Sequence, residues 1–435
     1  MATLILILLI LVAFVLMTKG ILKQEVAMPL VALAGIVLAG GEEGLMALHN
    51  GFAEFSRIAI LFTAVAVPAH ILQRSGLLDW VGMWVGELIG QIHVRTKASI
   101  TVLVPAISLL MVYIMAALFH NTTSILVSSL IIYVICKSYK LKGLPVLAGA
   151  LIASNLGGFS TRWGDTPNIV EASQWGLTHA DFFREIMPVN MSSLVILILV
   201  VSWWLWRSMK KSKLEKGTRF ETTYAMVKFR NARRTMSLDH RLILAGLVGL
   251  SLAITGPLFF VRYELSFSAL AIILSVLIDY SDHRTETLLA LGVETYATLA
   301  SIFVLAQVLA HSSIGIGQTI QDWLIQSGMS VWAIAVASYL GTLLTEAASW
   351  ASAATPLVHA QAPSHLAAWA LGSGIFAGSS SLVTAASAGI ILTQETKNNP
   401  EESRVTFGSY VAFGLVFSLF ILGYYILILS LLYRA

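Results

Sequence analysis

Apolar runs close to twenty residues long recur along the whole chain, and they decide the class of fold before any motif is weighed. ATLILILLILVAFVLMT (Ala2–Thr18) and VAFGLVFSLFILGYYILILSLL (Val411–Leu432) approach the ~20 residues that cross a bilayer core. Of the 435 residues 57% are hydrophobic and 11% charged, where soluble domains carry about 25% charged residues. The sequence predicts an all-α polytopic membrane protein, with the lipid bilayer as its first partner. No basic residue precedes the first run, and Lys19 and Lys23 follow it, which marks a retained span and not a cleaved leader. The single cysteine, Cys136, excludes an intrachain disulfide and a cysteine-based metal cluster. The pI near 9.1 does not indicate nucleic acid, because the basic residues lie in short loops between apolar runs, the pattern that sets orientation in a membrane.

Spans are expected near 2–18, 27–41, 51–73, 144–170 and 189–206, and again near 241–257, 258–278, 287–311, 367–393 and 406–432. Each half also holds a stretch that reads as a re-entrant hairpin, 96–140 bent at FHNTT and 329–361 bent at EAASWAS. An amphipathic segment suited to the interface precedes each: LLDWVGMWVGELIG (Leu77–Gly90) and IGQTIQDWLIQSG (Ile316–Gly328). Residues 1–206 thus form a first transmembrane repeat and 241–435 a second, of about five helices and one hairpin each. The linker 207–240 and the adjoining Arg241 hold 11 of the chain's 27 Lys and Arg, so it is placed in the cytoplasm by the positive-inside rule; a lipid- or partner-binding patch is the other reading. FAEFSRIAILFTAVAVPAH (Phe52–His70) runs parallel to VETYATLASIFVLAQVLAH (Val293–His311). An odd number of crossings per half turns the second copy upside down, and inverted repeats with broken helices at the midplane are a build of secondary transporters.

Non-helical backbone at membrane depth is tolerated only when buried in protein or lining a watery cavity. His120-Asn121-Thr122-Thr123 has that composition at the first hairpin tip, and Ser154-Asn155-Leu156-Gly157-Gly158 through Asp165-Thr166-Pro167-Asn168 has it inside the next crossing. Glycines let the backbone turn towards a ligand, Pro167 removes a helix donor, and Asp165 adds a full negative charge. Together these are oxygen ligands suited to a hard cation such as sodium, with Asn121, Asn155 and Asp165 as the metal candidates. Blander readings stand beside these: an ion pair of Asp165 with Arg162, a hydrogen-bonding and not a titrating His120, and helix–helix hydrogen bonds for Asn121 and Asn155.

SNLGGFSTRWGDTPNIVEAS (Ser154–Ser173), FHNTTSILVSSLI (Phe119–Ile131) and HILQRSGLLDWVGMWV (His70–Val85) resemble the arsenite permease / sodium–proton antiporter (ArsB/NhaD) branch of the ion transporter superfamily. Its typical run is Ala-Asn-Ile-Gly-Gly-x-x-Thr-x-Ile-Gly-Asp-Pro-Pro-Asn, and its hairpin reads Asp-Asn-x-Thr-Thr. The resemblance covers most of the chain. It implies scaffold and transport units in each protomer, hairpins on opposite faces, and often a homodimer. It also implies ion-binding roles for Asn121, Thr122, Thr123, Asn155, Gly157, Gly158, Thr161, Asp165 and Asn168, with Gly164 and Pro167 on matching positions. Departures are equally clear. His120 stands where these relatives carry aspartate, the second hairpin reads Glu346-Ala347-Ala348-Ser349, and the second break reads Phe376-Ala377-Gly378-Ser379-Ser380-Ser381, with Ala385 in place of a second acid. Glu346, Ser349 and Ser380 are the candidates there, Glu346 standing in for the lost aspartate.

The expected function is secondary active transport of a small inorganic ion, a sodium/proton antiporter first, in a bacterial inner membrane or an organelle membrane derived from it. The alternatives are an anion or arsenite permease of the same fold, and a degenerate transporter-like organelle protein of the magnetosome type. No P-loop, His-Glu-x-x-His or Gly-x-Ser-x-Gly occurs, which argues against ATP drive within this chain and against an enzyme. No cofactor is expected beyond the transported sodium or proton.

Overall fold

The computed structural model describes residues 2–119, 121–162, 164–211, 219–259, 263–279, 287, 293–314 and 317–432. No strand occurs among the described residues, and the chain is an all-α polytopic membrane protein. The first half runs α1 (Ala2–Thr18), α2 (Gln24–Ala39), α3 (Gly41–Arg74) and α4 (Leu77–Thr96), then a hairpin of α5 (Ile100–Phe119) and α6 (Asn121–Ser138), then a crossing broken into α7 (Gly143–Phe159) and α8 (Thr166–Trp175), and then α9 (Met187–Lys211). After α10 (Arg219–Thr235) the second half runs α11 (His240–Phe259), α12 (Glu264–Ile278), α13 (Val293–His311) and α14 (Gly317–Gln326). It continues with a hairpin of α15 (Val331–Leu344) and α16 (Ala347–Gln361), a broken crossing of α17 (His365–Ser379) and α18 (Ser387–Glu395), and α19 (Phe407–Leu432). Among the described residues α3, α5, α6, α9 and α19 are long and apolar enough to cross a membrane.

α2 and α3 pack with α11, α12 and α13 on one side of the molecule. Thr63 and Tyr296 share a 2.7 Å hydrogen bond there, and Gly51 leaves room for the backbone of Val304. On the other side α5, α6 and α9 pack on α7, and α15, α16 and α19 pack on α17, so that both are buried along nearly their whole length. Their sequences, GLPVLAGALIASNLGGF and HLAAWALGSGIFAGS, are rich in the small residues that let helices approach closely in lipid. Gly157 of α7 abuts the Tyr113 carbonyl of α5, and Gly374 of α17 abuts the Ala335 carbonyl of α15. A Cβ at either position would meet backbone, which cannot swing aside. The two halves also touch crosswise, α6 on α18 and α16 on α8.

Where the sequence offers only a basic linker, the structure has a docked helix. α10 packs along α4 and buries Phe229 against Gly86, with its ring 5.5 Å from that of Tyr139. On the same helix face Arg230 and Arg233 reach the two oxygens of Glu87 at 2.8 and 2.9 Å, and the Arg233 guanidinium lies 5.3 Å from the Trp80 ring centroid. Charge density alone does not describe this segment, because residues three and four apart also build a face. That face has a partner on α4.

Candidate functional site

Both hairpin tips end on a broken crossing of their own half. The Asn121 amide nitrogen donates to the Gly164 carbonyl at 2.9 Å, and the Ala347 amide nitrogen donates to the Ala385 carbonyl at 3.2 Å. The first N–H of a helix has no intrahelical partner and the carbonyls of a break have lost theirs, so each contact satisfies two groups that cannot find water. The same logic closes the first break. Asn168 donates to the Gly158 and Thr161 carbonyls at 2.8 and 2.7 Å, Thr161 to the Ala117 carbonyl at 2.9 Å, and Asn190 to the Leu156 carbonyl at 3.3 Å. Asn168 and Thr161 are therefore engaged in holding the break in shape. Pro167 fits the first turn of α8, where its missing N–H costs nothing, and Gly176 at φ +67° closes the helix in the left-handed conformation.

An acid begins a half-helix in each half. Asp165 is the N-cap of α8 and accepts from the Thr166 amide at 2.8 Å. Glu346 is the N-cap of α16 and accepts from the amides of Ala348 and Ser349 at 2.8 and 3.2 Å. The N-terminus of a helix carries a partial positive charge, so a carboxylate is stabilised there. The two acids are near enough for their charges to act on each other, and Glu54 of α3 acts on Glu346 as well. Their places in the two halves are exchanged. The first acid lies in the break and meets an amide from the tip, Asn121 Nδ2, at 2.9 Å from Asp165 Oδ2. The second lies at the tip and meets a hydroxyl from the break, Ser387 Oγ, at 3.2 Å.

A short polar chain connects these halves. Asn121 donates to Asn155 Oδ1 at 3.3 Å and Asn155 donates to Ser380 Oγ at 3.2 Å, while the Ser380 carbonyl accepts from Tyr410 at 2.6 Å. Thr122 donates to Asn121 Oδ1 at 3.0 Å, fixing which way that amide points. Gly158 lies under Asn121 and Asp165, where an added Cβ would fall 3.2 and 3.3 Å from theirs. Thr123 and Ser349 are buried, and the Ser349 hydroxyl has no hydrogen-bond partner among the described residues. His120 lies outside the described residues. The structure thus gathers Asn121, Thr122, Asn155, Gly158, Asp165 and Ser380 round one centre and sets Glu346 and Ser349 at the neighbouring tip. Amide and carboxylate oxygens of this kind suit a hard monovalent or divalent cation.

Sequence reasoning misses Ser387 and Asn190. Ser387 follows Ala385, the acceptor of the second tip's amide, by two positions, and nothing in its own neighbourhood marks it. Asn190 lies within an apolar span and is legible only once Leu156 and Ser160 are seen beside it; its oxygen accepts from Tyr425. Away from the breaks, ligand atoms of Asp181, Glu185 and His365 lie within 4.8 Å of one another. Asp181 is engaged there in a capping box with Thr178, and Glu185 accepts from Trp369 at 2.6 Å.

A family model described as "Citrate transporter" (CitMHS) matches residues 4–374. An uncharacterised transporter of Mycobacterium tuberculosis is 28% identical over 186 residues, 42% of this chain and 41% of that protein. The matched part is thus about two-fifths of the length of that relative. Magnetosome protein MamN of Magnetospirillum gryphiswaldense is 26% identical over 390 residues, 83% of each chain. The P protein of Mus musculus is 27% identical over 183 residues, 41% of this chain and 20% of that protein.

Proposed function

The chain belongs to the citrate transporter family, and from that premise we propose that it is a sodium/proton antiporter built on an inverted repeat. Membership supports secondary transport; the acids support the choice of a cation. The observation that carries the reading is a pair of carboxylates, the half-buried Asp165 and the buried Glu346, each starting a half-helix where a hairpin tip meets a broken crossing. Taking a carboxylate away from water is costly unless its charge is met. Asp165 is neutralised in turn by a proton or by sodium, with Asn121, Thr122 and Asn155 supplying neutral oxygens. The site crosses loaded with one or the other, which makes exchange obligatory.

Purified protein in proteoliposomes, with imposed sodium and pH gradients, tests this directly. Asp165→Asn keeps the shape and one of the two acceptor oxygens but removes the competition, so it inserts normally and loses pH-coupled sodium exchange. Exchange by the Asn variant at the wild-type rate removes Asp165 from the coupling. The second reading is an anion carrier of the same fold, and the family's description favours a carboxylate such as citrate. Citrate counterflow that needs no sodium gradient selects it. The magnetosome relative supports a third, a transporter-like organelle protein, for which neither sodium nor citrate moves.

A further inference from the structure

Glu171 is completely buried on α8, and neither of its carboxyl oxygens has a hydrogen-bond partner among the described residues. It lies against α17, where a Cβ on Gly372 would fall 2.7 Å from Oε2. Buried polar groups are nearly always paired, and an isolated buried carboxylate must be neutralised by a proton or by a cation arriving beside it. Glu171 therefore has no structural task that a glutamine or an alkyl side chain could not perform with less cost.

Its position suggests a task in transport. Asp165, at the start of the same helix, is close enough for its charge to act on Glu171. One turn further on, Trp175 meets the His359 ring edge-on at 5.1 Å, and Gln174 and His359 are 3.3 Å apart at the exposed end. α8 and α16 run side by side in the same direction, from Asp165 and Glu346 at their starts to Trp175 and His359 near their ends. The titratable groups on the elements packed round Glu171 are Asp165 at the start of its own helix and Glu346 and His359 at the start and near the end of α16. On α17 the single titratable side chain is His365, which lies 3.6 Å from Glu185.

We propose that Glu171 is a second proton-binding residue of the transport cycle, placed between the Asp165 site and the partly exposed His359 end. This rests on the exchange reading above. A cation held between the Asp165 and Glu171 carboxyls meets both negative charges at once, which lets each carboxyl release its proton. One sodium entering then displaces two protons, one from each carboxyl, and the loaded site carries one negative charge more than the doubly protonated one. Exchange through two carboxyls is electrogenic.

The test is the proton-to-sodium ratio, read as the null point between imposed sodium and pH gradients in proteoliposomes of the full chain. The wild type is expected near two protons per sodium. Glu171→Gln should keep sodium flux and fall to about one, and Glu171→Asp should return it to about two. An equal ratio in the wild type and Glu171→Gln, or a wild-type ratio of one, overturns the proposal while leaving exchange intact. If the wild type moves neither ion, the exchange reading falls first. Should Glu171→Gln fail to fold, sodium added to detergent-solubilised protein in weak buffer decides: release of more than one proton per chain by the wild type and by Glu346→Gln alike supports the role, and one or fewer overturns it.

Discussion

Asn155 donates its side-chain amide to Ser380 Oγ at 3.2 Å, joining residues 225 positions apart at the centre of the molecule. Both are buried, and Asn155 also accepts from Asn121, so one side chain ties the first tip to the second break. Ser380→Ala leaves a buried donor unpaired, a loss of about 1–3 kcal/mol that should lower the unfolding midpoint in detergent. Asn155→Ala removes both contacts and should lower it further. Equal midpoints for the two variants would show that the Asn121 contact adds nothing.

Glu346 combines a cap with a charge, and two substitutions separate them. Glu346→Ala removes the acceptor of the Ala348 and Ser349 amides, at about 0.5–2 kcal/mol for a lost N-cap. Glu346→Gln keeps an acceptor oxygen and should stay nearer the wild-type midpoint. Both should lose sodium-driven flux if the charge is needed. Full flux in the Gln variant confines Glu346 to capping.

Asp165, Asn121 and Asn155 are legible in the sequence because a polar residue inside an apolar run must have a reason to be there. The order of apolar helices and of the breaks between them is legible from run length and glycine content. Glu171 sits inside the same polar run, yet spacing alone does not say whether a side chain meets lipid, water or a neighbouring helix. The docking of α10 is hidden for a related reason: eleven basic residues near one another dominate the pattern, and the face formed by Phe229, Arg230 and Arg233 acquires meaning only opposite Glu87 and Gly86. Asn168 and Thr161 read as ligands because the resemblance puts them on motif positions; in the structure their side chains donate to carbonyls of the break and of α5.

The α10 contact should open when Glu87 loses its charge. Arg230 and Arg233 are 40% and 23% exposed, so the ion pairs contribute modestly, roughly 1 kcal/mol. Glu87→Gln should therefore raise the open population of α10 by about fivefold, read as faster tryptic cleavage at Lys228 and Arg234 with sodium flux unchanged. Unaltered cleavage would mean that the Phe229 and Arg233–Trp80 contacts hold the helix without the ion pairs.

The inverted repeat makes the most general prediction, because it concerns the path of the whole chain. Both tips approach their breaks through the same kind of backbone bond, Asn121 to Gly164 and Ala347 to Ala385, so the hairpins are equivalent in local geometry. What the proposed repeat makes different is the side from which each enters. On the proposed inverted repeat, the basic residues round the first hairpin's base, Lys97, Lys137, Lys140 and Lys142, place it on the cytoplasmic side, and an odd number of crossings brings the second hairpin in from the opposite face. Ser138 at the first base and Gln361 at the second are both exposed and outside the tip contacts. Single cysteines at these positions, with Cys136 replaced by serine, should react with an impermeant thiol reagent from opposite faces of the membrane: Ser138→Cys from inside and Gln361→Cys from outside. Labelling of both from one face would make the halves parallel copies, and Asp165 and Glu346 would then open to the same water instead of serving the two faces in turn.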